Sequence, residues 1–221
     1  MRRAAVRVQE PHLDEHRLDR LAEAGAGEPK AGGSYEALRF TGSGIGRASL
    51  VGTTFTECEI VDWGAERVEL QGARLIETRI SRIDVPHLTA RRSTWRDVEM
   101  LSSRTGAVDG ADSALHRVLF EGAKLGWAGF RAAELHDVTF RDCRIDELDL
   151  SMCTIARVAF ENTTVHKLVL SGAQARHLDL RGIELGSIDG IEGLRGAVLT
   201  RIQAAEMTEI FAAHLGIAIE E

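Results

Sequence analysis

His116 and His136 stand 20 residues apart, and two imidazoles brought side by side could share a divalent metal. Continuing at the same spacing, however, Arg96 lies before the pair and Ala156 after it, so no third ligand follows and no metal site is assigned. The three cysteines, Cys58, Cys143 and Cys153, lack the spacing of a zinc site and suggest no disulfide framework. They read as small buried hydrophobes. Carboxylates crowd Arg141-Asp142 and Asp146-Glu147-Leu148-Asp149, but no Gly-rich phosphate loop, nucleophile elbow or metalloprotease signature accompanies them. No catalytic, cofactor-binding or metal-ligating residue is assigned. Trp127, Met152 and the stretch from Leu101 to Asp112 remain as places where a partner could touch.

The elements that position these groups follow from a five-residue cycle, clearest from Val118 to Leu180. Of the 30 positions from Phe40 to Leu185 whose numbers are multiples of five, all but Thr105 and Gly110 are apolar. The slot just before each is polar or glycine except at Ala114, Leu119, Ala159 and Val169. Two residues before each centre no charge appears, and seven of those slots hold Ser or Thr. Two side chains point in and three point out, which neither a 3.6-residue helix nor a simple alternating strand produces. Short strands joined by corners do.

The number of corners per coil follows from the inward slot that precedes each centre. From Val138 it runs Cys143, Leu148, Cys153, Val158, Thr163, Leu168, Ala173, Leu178, alternating large and small, and only an even number of sides keeps large above large. Two sides would enclose nothing, so four sides and a 20-residue coil are expected. The centres Phe40, Ile60, Ile80, Met100, Phe120, Phe140, Phe160 and Leu180 then form one internal stack. Arg39, Glu59, Arg79 and Glu99 share an outward column and alternate in sign, which predicts a ladder of surface ion pairs.

Ala48-Ser49-Leu50-Val51-Gly52, Ala73-Arg74-Leu75, Ala123-Lys124-Leu125, Ala133-Glu134-Leu135 and Cys143-Arg144-Ile145 resemble the motif of the pentapeptide repeat proteins: a small residue, a polar residue, Leu or Phe, then two polar residues. That resemblance implies a right-handed four-sided β-helix. It also implies a non-catalytic role in binding a protein partner, with DNA gyrase or another type II topoisomerase the best single guess, through mimicry of a DNA duplex. The alternative is a generic interaction scaffold with no topoisomerase role. Trp63, Ala65, Ala90, Thr105 and Gly110 depart from the motif, so irregular coils are expected between about 60 and 112.

Residues 1–37 lack the cycle and are expected to cap the first coil, with a short helix from Leu13 to Gly25 and Tyr35 and Leu38 beginning the coverage. Residues 38–190 form the β-helix, a rod of roughly 36 Å at ordinary strand spacing. Residues 191–221 leave the repeat as a capping helix, with Thr200 and Gln203 as a capping box, Gly216 as its stop and a final short strand after it. Met207, Ile210, Phe211 and Leu215 lie on one side of that helix and are the expected interface of a homodimer, an arrangement the resemblance also favours.

Charge and composition narrow the function classes. The chain carries a net charge of −7 with 28% charged residues. It has no 18-residue apolar run, so no membrane span is expected, and MRRAAVRVQEPH offers no apolar core for a secretion signal; a cytoplasmic location follows as the expectation. Between 38 and 190 there are 22 acidic and 19 basic residues, whereas duplex DNA carries one negative charge per about 1.7 Å of axis. No wall is therefore a phosphate-like stripe. Direct nucleic-acid binding is disfavoured as well, since no wall is basic and interleaved aromatics are missing.

Overall fold

The computed structural model describes residues 8–13, 18, 20–24, 29–42 and 45–220. The chain winds into a four-sided parallel β-solenoid of about eight turns. From Ser34↔Thr54 at one end to Val169↔Asp189 at the other, paired residues of successive coils sit 20 positions apart. The walls are named here in chain order: the first is centred on Phe55, Leu75, Trp95, Leu115, Leu135 and Ile155, and the second on Phe40, Ile60 and so on to Leu180. The third and fourth walls lie five and ten residues beyond the second. Strands such as Thr94–Leu101 and Glu134–Arg141 cross from the first wall to the second, and strands such as Arg104–Asp109 and Lys124–Gly129 serve the third and fourth.

Three of the four corners turn on a left-handed residue. These fall at Glu77, Asp97, Arg117, Asp137 and Arg157, at Asp62, Arg82, Ser102 and Gly122, and at Gly52, Gly72, Arg92 and Asp112. A left-handed residue costs an L-amino acid about 1–2 kcal/mol. The cost is offset because each corner inherits the ladder hydrogen bonds of the coils on both sides, as in Asp112 N–H to Arg131 C=O at 2.9 Å.

The interior is filled by stacked side chains. Phe120, Phe140 and Phe160 lie in one column with ring centroids 4.8 and 5.2 Å apart and planes within 7° and 11° of parallel. That separation is the strand spacing itself. All eight residues of the expected stack are buried. Small polar residues in the other inward slot close their own hydrogen bonds onto the backbone: Thr163 Oγ1 donates to Phe140 C=O and Glu161 C=O at 3.0 Å, and Cys153 Sγ does the same to Phe130 C=O at 2.8 Å. Burial pushes the Cys143 and Cys153 thiols up to about 11 and about 12, so they are filler and not nucleophiles.

The irregularity expected between 60 and 112 does not occur. Arg104–Asp109 is a strand paired on both edges, with Thr105 between Val85 and Leu125, so residues 101–112 form no loop. The departures compensate one another. A Cβ at Gly110 would lie 2.7 Å from the Phe130 ring, so glycine makes room for the phenylalanine of the next coil. Trp63 in the small slot accompanies Ala65 in the large one, both buried. Thr105 is uncompensated: its Oγ1 is buried without a hydrogen-bond partner among the described residues.

The ends differ from the expectation in detail. Ala22–Glu23 is a strand that pairs with Leu38–Arg39, not part of a helix, because its backbone groups close the open edge of the first coil; residues 14–17, 19 and 25 of the expected helix lie outside the described residues. Tyr35 stacks on Phe55 with centroids 5.5 Å apart. At the other end a 3₁₀ turn, Ile191–Leu194, leads to two short helices, Arg201–Glu206 and Thr208–His214. The capping box between Thr200 and Gln203 is formed, and Gln203 Nε2 also donates to Leu180 C=O and Ile183 C=O at 2.7 and 2.9 Å, tying the cap to the last coil. Gly216 stops the second helix in the left-handed region, with Ile217 N–H bonded to Ala212 C=O at 2.8 Å. Residues 217–220 form no strand. No helix among the described residues is long and apolar enough to cross a membrane.

Candidate functional site: the outer walls and the C-terminal end

With the interior of the described coils filled, the outward slots are available to a partner, and the ladder spacing dictates what they can do. Side chains n and n + 20 project from strands about 4.8 Å apart, within reach of one another. Opposite charges therefore meet. Arg39 and Arg79 bond Glu59 and Glu99 at 2.6 and 2.7 Å, as the sign alternation predicted. Further pairs join Arg82 to Asp62 at 2.7 Å, Arg157 to Asp137 at 2.6 Å, Arg117 to Asp97, and Arg141 to both Glu121 and Glu161. These guanidinium partners neutralise many of the carboxylates locally. A continuous anionic stripe does not survive the pairing.

The histidine pair adopts a different geometry. His116 and His136 stack with centroids 5.0 Å apart and planes at 19°, so their in-plane lone pairs run side by side and do not converge on one point. Burial, then the neighbouring His136, holds the His116 imidazolium below its usual range. No group of three or more His, Cys, Asp or Glu residues converges among the described residues. Trp127 does not project: its ring lies across Gly129, where a Cβ would fall 2.1 Å from it. Met152 is exposed at a left-handed corner, its sulfur over Gly172.

At the C-terminal end the four residues placed on one helical side part company. Met207 is buried and Phe211 packs against the core, because the helix breaks at Met207, which ends one helix and starts the next. Ile210 and Leu215 are exposed, together with Ile202, Ile217 and Ile219. Sequence periodicity could not find the last three, since two of them lie beyond the helix stop.

The outward column of the second wall that begins with Arg39, Glu59, Arg79 and Glu99 changes character further along. Its members Leu119, Thr139 and Ala159 carry no charge, and Thr139, Ala159 and the next member, Asp179, are buried although they point away from the core. Residues 8–13 cover them. His12 N–H donates to Asp137 Oδ1 at 2.9 Å and Gln9 N–H to His177 Nδ1 at 3.3 Å. The apolar outward slots at Leu119 and Ala159 were the available sequence signal for this contact.

Comparisons with known proteins agree with the repeat. Residues 113–189 match the pentapeptide repeat region family. No curated protein matches the chain. Among solved structures, the chain is similar to full-length QnrB1, described as a plasmid-mediated fluoroquinolone resistance protein, at 18% identity over 82% of this chain and 91% of that one with a TM-score of 0.40. A trypsin-treated variant of QnrB1 gives 18% identity over 86% and 93% of the two chains with a TM-score of 0.39. Residues 113–189 thus match the pentapeptide repeat, and the same 20-residue register continues on the N-terminal side of that region.

Proposed function

We propose that this protein is non-catalytic and acts in the cytoplasm by presenting a rigid wall to a protein partner, with DNA gyrase or another type II topoisomerase as the best single partner. The filled interior is the observation that supports this: the Phe and Leu columns are buried throughout the described coils, which leaves the outer surface to meet a partner. The topoisomerase partner follows from the family resemblance. Purified protein in a gyrase supercoiling assay, with and without a quinolone, tests it. Inhibition or protection at micromolar concentration is the expected outcome; neither effect would leave only the scaffold.

The scaffold reading has its own support. Duplex mimicry needs unpaired negative charge along a wall, and here Asp62, Asp97, Glu99, Asp137 and Glu161 are each bonded to an arginine one coil away. A partner recognised by shape and mixed charge fits those ladders better than a mimic does. We further propose a homodimer through the C-terminal segment, with Ile202, Ile210, Leu215 and Ile217 meeting their counterparts in a second copy, while Met207 and Phe211 support them from beneath.

A further inference from the structure

The segment Val8–Leu13 lies along the rod, crossing the coils. Asp137 and His177, which accept from His12 and Gln9, are two coils apart, about 9.6 Å at strand spacing. Three residues of extended chain span about 10 Å. The two lengths agree, so an extended peptide meets the same corner column once every two coils, and Arg157 on the coil between clamps Asp137 from the other side at 2.6 and 2.8 Å.

The segment itself is two-sided. Val8, Pro11 and Leu13 are half-buried while Gln9, Glu10 and His12 are exposed. Pro11 fixes its own φ and holds Glu10 extended, which limits the entropy lost on docking. Beneath it, Thr139 and Ala159 make an uncharged floor, bordered on one side by the Asp137–Arg157 corner and on the other by Arg141 and Arg181, with space left open beside Pro11 and Leu13. Glu10 lies in the field of Arg181.

We propose that the second wall between Asp137 and Arg181 is a groove for an extended, proline-containing peptide, and that Val8–Leu13 of this chain is its resident, displaceable occupant. Among the described residues the attachment is two backbone hydrogen bonds and three half-buried apolar side chains, with no β-ladder, so a competing segment of the same pattern can replace it. The groove recognises backbone N–H groups at its acceptor corner and apolar side chains at the first, fourth and sixth positions of the peptide. The inference goes beyond the topoisomerase reading: a failed gyrase assay leaves the groove standing, and a failed peptide experiment leaves the gyrase reading standing.

The test uses the full chain and a blocked, fluorescently labelled peptide of sequence VQEPHL. In a Val8→Asp, Leu13→Asp variant the resident segment is weakened and the wall is intact. That variant should bind the peptide about tenfold more tightly than the unaltered chain, the factor expected when the resident occupant loses the burial of two half-buried apolar side chains. Adding Ala159→Arg, which fills the floor, should abolish the gain; if that variant loses its β-sheet circular dichroism, Asp137→Asn takes its place. Hydrogen exchange at the Gln9 and His12 amides should run about tenfold slower in the unaltered chain than in the strap variant. No peptide binding to the strap variant, binding indifferent to the floor substitutions, or equal exchange rates would overturn the proposal.

Discussion

The middle coils and the two non-repeating ends are built from the same kinds of residue and held by different means. Phe140 is flanked above and below by copies of its own environment, in contact with Phe120 and Phe160, so its burial is enforced by the register. Met207 and Leu13 have no such neighbours; each rests on one surface. The lesson is that in a solenoid the repeat supplies packing twice over, whereas an end depends on single contacts that can be released separately.

The largest expected effect breaks the middle. Phe140→Ala should cost about 4 kcal/mol, read as a lower denaturation midpoint, because neither flanking ring can fill the space without leaving its strand. Met207→Ala at the end should cost about 2 kcal/mol, since its side chain is buried but has no copy of its own environment on the next coil. If the two variants proved equally costly, the contrast between interior and end would fail.

Two smaller effects sharpen it. Thr105→Val keeps the shape and removes the unpartnered hydroxyl, and should stabilise the fold by about 1 kcal/mol in chemical denaturation. Acid should release the N-terminal segment. Burial alone would raise the Asp137 carboxyl, but the Arg157 guanidinium and the His12 N–H outweigh it and hold it below the usual carboxylate range. Its contribution is complete above the unfolded value of about 3.9 and is lost as pH falls through the depressed folded value. Exchange protection at His12 should therefore persist at about pH 6 and be lost as acid titrates the Asp137 carboxylate below the usual carboxylate range, which amide exchange measured on lowering the pH checks.

The smallest effect on stability carries the most information about assembly. Leu215 is 70% exposed, and Leu215→Asp should change the stability of a single copy by less than about 0.5 kcal/mol. In light scattering the same substitution should convert a dimer to a monomer. Phe211→Asp would be a poorer probe, because Phe211 packs against the core and its replacement would disturb the cap as well as any interface.

The coil was legible in the sequence because its cause is local and repeated. Side-chain direction along a short strand and the spacing between coils act on each five-residue unit in the same way, so Phe120, Phe140 and Phe160 could be placed in one column from their numbers alone. The ion pairs at Arg39–Glu59 and Arg79–Glu99 were readable for the same reason. The compensation of Gly110 by Phe130 was less visible, since a departure from a motif looks like an interruption until the neighbouring coil is known to fill it.

Sequence by itself determined the four-sided coil, its 20-residue register and the partners of its stacked side chains, because those contacts recur at a constant separation. Only the tertiary structure decided that the helix breaks at Met207, which of the apolar residues near it face water, and that Gln9 and His12 reach His177 and Asp137 across 168 and 125 residues. Those contacts have no period. They depend on where a segment outside the repeat can find unfilled surface, which exists only once the walls have been built.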